Sequence, residues 1–427
     1  VKGLNEYDVV VLGGGPAGLA AALASFEQGM NTLIIERENR LGGILKQCIH
    51  DGFGLIKFKE KLTGPEYAQR YVDKVLACQM PVLLSTFVLT VEKAGTGFVI
   101  TLVNAAQGVA QIETRALILA TGCRERTAKQ VFINGTRPAG VFTAGTAQHL
   151  VNIEGYLPGK KCVILGSGDI GLIMARRLTL EGAQVLAVYE AKSTPSGLSR
   201  NIVQCLNDFH IPLHLSTTIT RVFGDNRVEA VEIARVDENM RPIKGTEQVI
   251  SCDTVILSVG LIPENEIADM LGVEIDAATK GPVVDQNFMT SVEGVFSCGN
   301  ALHVNDLVDY VSESGEIAGA NAAQYVREAT PRQLAEIKMS PDFLYVVPQQ
   351  ININSSNRKA VLYFRSREVR ENMRVTIKSG DQVLLSKRYV ILRPPEMERV
   401  RLVIKDGLAS NQIEITMEPV KNKEMAL

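Results

Sequence analysis

Residues 7–36 read YDVVVLGGGPAGLAAALASFEQGMNTLIIE, and their pattern decides the fold. Val9 to Leu12 is a β-branched, apolar run of strand type. Gly13, Gly15 and Gly18 follow as G-x-G-x-x-G, and an Ala/Leu-rich helical stretch opens at once behind them. A second apolar run, Thr32 to Ile35, ends in Glu36, 18 residues beyond Gly18. Strand, glycine turn, helix and terminal acid together form a dinucleotide-binding fingerprint. Gly13 permits the tight turn, Gly15 lets the backbone approach a pyrophosphate, and Gly18 lets the helix pack closely on the strand. The helix N-terminus offers unpaired N–H groups and a partial positive charge to the phosphates. The Glu36 carboxylate can accept hydrogen bonds from a ribose diol.

The same pattern returns after a Gly/Thr-rich connection, Gly140 to Gly159. Cys162 to Leu165 is a strand, Gly166, Gly168 and Gly171 repeat the glycine spacing, and Leu172 to Glu181 is a helix. Val185 to Tyr189 then ends in Glu190, 19 residues past Gly171. Two complete copies in one chain point to two nucleotide cradles.

Composition bounds the rest. A chain of 427 residues, 46% of them apolar, holds about two to four domains with full cores. A net charge of −2 does not suit a nucleic-acid binder. No apolar run reaches the length of a membrane span, and the N-terminus opens into the first strand without a signal segment. The seven cysteines are scattered and never form C-x-x-C. That predicts a reducing, cytoplasmic setting, no disulfide framework and no metal site.

Between the fingerprints, Thr63 to Gln79 reads as a helix with Thr63 as N-cap and Pro65 in its first turn. Alternating runs near 81–91, 98–103 and 109–114 predict an antiparallel meander, followed by a separate apolar strand, Ala116 to Ala120. Val311 to Arg327 has helix character with small residues on one side. Glu328 to Ser340 reads as a polar linker. Beyond it come only short strands separated by turn signals such as Lys378–Asp381 and Lys405–Gly407, which predict a small β-sandwich.

With both fingerprints placed, the chain resembles the two-dinucleotide-binding-domain flavoproteins of the pyridine nucleotide–disulfide oxidoreductase superfamily. The resemblance covers about residues 7–328 and rests on GGGPAG with Glu36, LILATG ending at Gly122, GSGDIG with Glu190, and GVFSCGN ending at Asn300. The wording of ATGCRERT, TRPAGVFTAGTAQ and VDYVSESGEIAG is similar to FAD-dependent oxidoreductases that accompany glycerol-3-phosphate dehydrogenases. Those are related to subunits of hydrogen cyanide synthase, opine oxidase and dye-linked proline dehydrogenase. The resemblance implies an α/β fold of two Rossmann-like three-layer domains, to which the strand pattern adds the small C-terminal all-β sandwich-like domain. It implies a discontinuous FAD domain over residues 1–138 and 282–330, and a nicotinamide domain over 139–281. Residues 331–342 would be a linker, and 343–427 a β-rich accessory domain.

Carried over position by position, the resemblance places Gly13, Gly15, Pro16, Ala17 and Gly18 at the FAD pyrophosphate. Glu36 and Arg37 would lie at the adenosine ribose, Gly42 and Gly43 along the phosphates, and the Val88 backbone at adenine. Ala120, Thr121 and Gly122 would close over the cofactor, and Gly299 and Asn300 would reach its ribityl end. The family usually has Asp at the Asn300 position. Tyr310 and Val311 stand where a helix N-terminus meets the flavin C2 carbonyl. Gly166, Gly168, Asp169, Ile170 and Gly260 would hold the nicotinamide dinucleotide, with Glu190 favouring NADH over NADPH.

The paired cysteines of disulfide reductases are missing. The loop after Gly43 has only Cys48, and VFTAGTAQHL has none where thioredoxin reductases carry their pair. Electrons would therefore leave the flavin for a small-molecule substrate, an acceptor or a partner dehydrogenase subunit. Cys48 and His50 allow a second reading, a single-cysteine peroxide or persulfide reductase in which the imidazolium activates the thiol. The alternative is that Cys48 packs and His50 bonds to backbone or phosphate. His303 either touches the cofactor or caps its loop. Arg124, Glu125 and Arg126 read as a solvated crossover loop, and His149, His210 and His214 as structural. A third reading is a non-catalytic flavin-binding interaction subunit. The β-rich domain would serve docking or homo-oligomerisation.

Overall fold

A computed structural model describes residues 5–404, Leu408 and residues 412–420. The turn expected at Lys405–Gly407 falls outside them. Contacts divide the chain into two units, Val1–Cys123 with Pro263–Leu427, and Arg124–Ile262.

In the first unit, strand β1 (Asn5–Leu12) lies between β2 (Thr32–Ile35) and β3 (Gly108–Leu119), parallel to both. Val9 to Val11 are fully buried, as a continuous apolar run in a parallel sheet requires. Helix α1 (Pro16–Phe26) follows the glycine turn. Helix α2 (Gly64–Ala77) begins with a complete capping box, Thr63 with Glu66, and Pro at its start. Two points correct the sequence reading. Val82–Leu83 joins the main sheet beside β2 instead of the meander. The meander's last strand and the expected strand over 116–120 are one continuous element, β3. Its outer half pairs antiparallel with Gly97–Asn104 and its buried half parallel with β1, with no Gly, Pro or Asn to interrupt it.

The second unit repeats the plan. Its parallel sheet runs, in order, Val141–Thr143, Thr254–Leu257, β4 (Lys161–Leu165), β5 (Gln184–Tyr189) and Leu213–His214. Helix α3 (Asp169–Leu180) follows the second glycine turn. The boundaries differ from those expected at 138/139 and 281/282. Ala128 and Ile133 pack with Val163 and Leu257 in the second unit. Ala268 and Val273 pack with Val10 and Leu12 in the first.

The first unit then continues with Val295–Ser297 beside β3 and helix α4 (Val308–Arg327). The expected linker over 331–342 is instead largely a strand, Leu334–Met339. Only Ala335 and Ile337 of that strand are buried, so its outward Glu336 and Lys338 make it read as polar. It belongs to a five-stranded sheet that faces a three-stranded one made of Phe343–Val347, β6 (Lys359–Ser366) and β7 (Glu398–Val403). Phe343, Leu362, Phe364, Val375, Ile377 and Ile415 fill the core between them. This is the sandwich that the alternating strands predict.

Helices α1 and α4 run in the same direction and touch along small residues. A Cβ on Gly315 would stand 2.2 Å from the Ala17 carbonyl oxygen, and one on Gly319 2.1 Å from that of Ala21. Only glycine there lets the two backbones meet, and the meeting sets the first turn of α1 against the third turn of α4.

Candidate functional site

The first glycine turn has the division of labour its spacing predicts. Gly13 has φ +111°, and a Cβ on it would lie 2.4 Å from the Ala120 carbonyl oxygen. A Cβ on Gly18 would lie 1.8 Å from the Gly13 carbonyl oxygen. Gly15 is different: a Cβ there would meet only Gly43 Cα, at 3.8 Å. The outer glycines are pinned by packing, and the central one borders open space, where the resemblance expects a diphosphate.

α1, α3 and α4 begin at Gly15, Gly168 and Leu307 without any side-chain cap. α2 has its capping box, while the short helices Ala144–His149, Ser199–Cys205 and Glu266–Met270 lack a side-chain cap as well. Uncapped N–H groups and the positive helix end suit anionic groups, and α1, α3 and α4 are where pyrophosphate, second pyrophosphate and flavin C2 carbonyl are expected.

The two acids are held alike. Glu36 Oε2 accepts the Gly14 N–H at 2.7 Å, and Oε1 accepts the Glu38 N–H at 2.8 Å. Glu190 Oε2 accepts the Ser167 N–H at 3.0 Å, and Oε1 accepts the Lys192 N–H at 3.0 Å. Both acids are buried; each Glu36 oxygen retains a lone pair for a ribose hydroxyl, and so does Glu190 Oε1. Gly14 and Ser167 were not singled out in the sequence. Their position, between the first two fingerprint glycines, is the signal that identifies them.

Pro16 and Ala17 are the first residues of α1, and Arg37 is exposed just past Glu36. Gly42 N–H donates to the Gly14 carbonyl at 2.8 Å, which draws Gly43 beside Gly15. Val88 is on the Thr86–Ala94 strand at a register shift. Thr121 Oγ1 donates to the Glu264 carbonyl at 2.6 Å, and the Gly122 carbonyl accepts the Glu264 N–H at 2.9 Å. Gly299, at φ +63°, packs against Ala17 and Val311 and donates to Ser314 Oγ at 2.8 Å. Gly299 therefore sits where the ends of α1 and α4 meet. Asn300 Oδ1 accepts the Asn305 backbone N–H at 3.0 Å and its side-chain Nδ2 at 3.3 Å, and the Asn300 amide nitrogen faces Cys123 Sγ at 3.6 Å. Its side chain thus presents a donor where an aspartate would present an acceptor. Tyr310 lies under the Arg399 guanidinium, 5.5 Å from the ring centroid.

In the second unit, a Cβ on Gly168 would reach only Ser258, at 3.7 Å, so that cradle is open as well. Gly166 is the pinned turn residue at φ +98°, and Gly260, at φ +106°, lies beside Arg126. The half-buried Ile170 side chain packs against the core of this unit. Asp169 Oδ1 accepts from Leu198 N–H at 2.9 Å and Asn201 Nδ2 at 2.7 Å, so its carboxylate ties down the following loop.

Cys48 is buried, its thiol donating to the Ile44 carbonyl at 3.4 Å, and burial pushes its pKa up to about 12. An activating imidazolium would move it the other way. His50 Nδ1 lies 3.2 Å from the Asp51 carbonyl oxygen, and its ring lies 4.9 Å from that of Phe53. No disulfide is present among the cysteines, all of which are described. In VFTAGTAQHL, Thr143 Oγ1 and Thr146 Oγ1 are hydrogen-bonded to each other at 2.9 Å. Among the described residues, no group of three His, Cys, Asp or Glu side chains is placed to hold a metal ion. No helix among them is long and apolar enough to cross a membrane. His303 is 1% exposed, and neither ring nitrogen has a hydrogen-bond partner. Burial pushes its pKa down to about 3, so the ring is a neutral core group packed on Tyr345 and Tyr363.

Known proteins share this plan. An opine oxidase component from Agrobacterium tumefaciens is 24% identical over 353 residues, covering 78% of this chain and 66% of that protein. The HcnB component of hydrogen cyanide synthase from Pseudomonas protegens is 27% identical over 335 residues, covering 74% and 67%. The chain spans about two thirds of the length of these relatives, each of which is one subunit of its enzyme. The crystal structure of T. acidophilum thioredoxin reductase superposes with a TM-score of 0.62 at 22% identity, over 76% of this chain and all of that one, which shows the shared fold. The profile of the pyridine nucleotide-disulphide oxidoreductase family matches residues 7–333. Two open cradles with twin anchored acids, on a match of that extent, establish that the chain belongs to the pyridine nucleotide-disulphide oxidoreductase family and is, by that membership, an FAD/NAD(P)-dependent oxidoreductase.

Proposed function

We propose that the chain takes electrons from NADH on a bound FAD and hands them to a partner protein or other acceptor without a redox-active disulfide. The observation that carries this is the matched anchoring of Glu36 and Glu190 beside two open glycine cradles. FAD in the first cradle would supply two-electron chemistry. Glu36 would hold its ribose, α1 its pyrophosphate, and the end of α4 would favour negative charge on its pyrimidine ring. Glu190 would accept from a ribose 2′-OH and repel a 2′-phosphate, which favours NADH. The buried, protonated Cys48 and the Thr143–Thr146 hydroxyl pair support a route without thiols. The subunit character of the opine oxidase and hydrogen cyanide synthase relatives supports a partner protein as the acceptor.

The test is an anaerobic NADH titration of the purified yellow protein, followed by a screen of acceptors. The flavin band should bleach with about one equivalent of NADH and more slowly with NADPH. A flavin left oxidised in excess NADH overturns the reading.

A further inference from the structure

Three carboxylates lie at or just ahead of the beginning of α4, and other elements hold each of them. Asp306, just ahead of the helix, pairs with Arg365 and accepts the Met397 N–H at 2.6 Å. Asp309 accepts the Lys57 N–H at 3.0 Å. Glu313 pairs with the Arg399 guanidinium, accepting from Nε at 2.6 Å, and also accepts the Tyr363 hydroxyl at 2.9 Å. Arg401 adds a further contact to Glu313 at 3.3 Å. Tyr363 and Arg365 lie on β6, and Arg399 and Arg401 on β7. The C-terminal sheet therefore clamps this helix end within the first unit. The Arg399 and Glu313 side chains are only 18% and 21% exposed, so an unmatched charge there would be poorly screened.

Tyr310 and Val311, the expected neighbours of the flavin pyrimidine ring, lie between Asp309 and Glu313. The positive end of α4 would favour electrons on that ring, but three acids in the same turns would oppose them. We infer that Arg399 and Glu313 are positioning residues for the flavin: the C-terminal sheet fixes the flavin-facing end of α4 and cancels the carboxylate charge carried there. This rests on the first cradle being the FAD site. Each would act through the helix and its field.

The two residues carry opposite charge, so their removal has opposite effects, whereas loss of packing would act in one direction. Sulfite provides the readout. It donates its electron pair to flavin N5, forming an S–N bond and leaving negative charge on the pyrimidine side of the ring. Arg399→Ala should weaken sulfite binding about threefold to tenfold, and Glu313→Gln should strengthen it by a similar factor. Arg399→Lys should restore most of the affinity. Arg401 is 73% exposed, so Arg401→Ala will fold even if Arg399→Ala does not, and it should weaken sulfite binding by a smaller factor. In cofactor-free protein, Arg399→Ala should also speed amide exchange over residues 306–313. Sulfite affinity unmoved by all of these variants, or lowered by both Arg399→Ala and Glu313→Gln, overturns the inference alone. A protein that takes up no FAD overturns the assignment of the cradle and this inference with it.

Discussion

Glu190 Oε2 receives two hydrogen bonds from Ser167, the backbone N–H at 3.0 Å and the hydroxyl at 2.6 Å. The Ser167 hydroxyl in turn accepts the Ser196 N–H at 2.9 Å. The acid, the glycine turn and the following loop are thus one hydrogen-bonded unit. In the first cradle Gly14 gives Glu36 the backbone bond alone, since glycine has no hydroxyl to add. The second acid is consequently held at least as firmly as the first, and its charge is fixed beside the second glycine turn.

Replacing Glu190 by Ala should therefore cost NADH more than it costs NADPH. One to two hydrogen bonds to a charged acceptor correspond to about tenfold to hundredfold in kcat/KM for NADH. The preference for NADH over NADPH should narrow by a comparable factor. Rates of flavin reduction measured with each nucleotide check this, and an unchanged ratio would count against Glu190 as the ribose acid.

Glu36→Ala removes the acceptor of two backbone N–H groups at a buried position. Unsatisfied donors of this kind cost about 1–3 kcal/mol each. The variant should lose FAD on gel filtration and melt several degrees lower, even when compared with cofactor-free parent protein. Equal FAD content in parent and variant would show that the acid anchors only the loop.

The cradles were legible because glycine spacing, strand, helix and terminal acid are all local in sequence. The continuity of β3 was not, since a strand's length is decided by pairing on both its edges. The strand over 334–339 was hidden because two small apolar contacts, Ala335 and Ile337, suffice to hold it. The clamp on α4 left no periodic trace at all: Glu313 and Arg399 lie 86 residues apart and meet only after the sandwich folds. His303 stood out as a histidine after Asn300, yet its surroundings, Tyr345 and Tyr363, come from that same distant sheet.

Cys48 should be a slow thiol. With its pKa pushed up to about 12, only a trace is ionised at mildly alkaline pH. Alkylation of native protein should leave Cys48 unmodified on peptide mapping while unfolded protein is labelled. Cys48→Ser should leave reduction of the flavin by NADH unchanged. Rapid labelling of the native thiol, or loss of peroxide turnover in Cys48→Ser with flavin reduction intact, would favour the single-cysteine reductase instead.

Acid should loosen the first unit through His303. Its folded pKa, about 3, lies below the ordinary 6.5, so its contribution to stability is present above pH 6.5 and lost as pH falls toward 3. Between about pH 6.5 and 4 the loss is on the order of 3 kcal/mol. Asp285 has the opposite sign. Burial lifts its pKa to about 6, despite Arg332 nearby, so its contribution is present below pH 3.8 and lost as pH rises through 6. His303→Phe should flatten the acid limb of a denaturation-midpoint profile, and Asp285→Asn should steepen it. A parent profile that both variants reproduce would refute these assignments.

The close seam of Gly315 and Gly319 against Ala17 and Ala21 joins two helices into a single stiff strut. The anion-seeking tips of α1 and α4 therefore keep a constant separation and serve as a caliper. A ligand that presented a diphosphate to one tip and a flavin ring to the other would be measured for length. FMN, which lacks the adenylate half, would engage one jaw fully and leave Glu36 without its ribose.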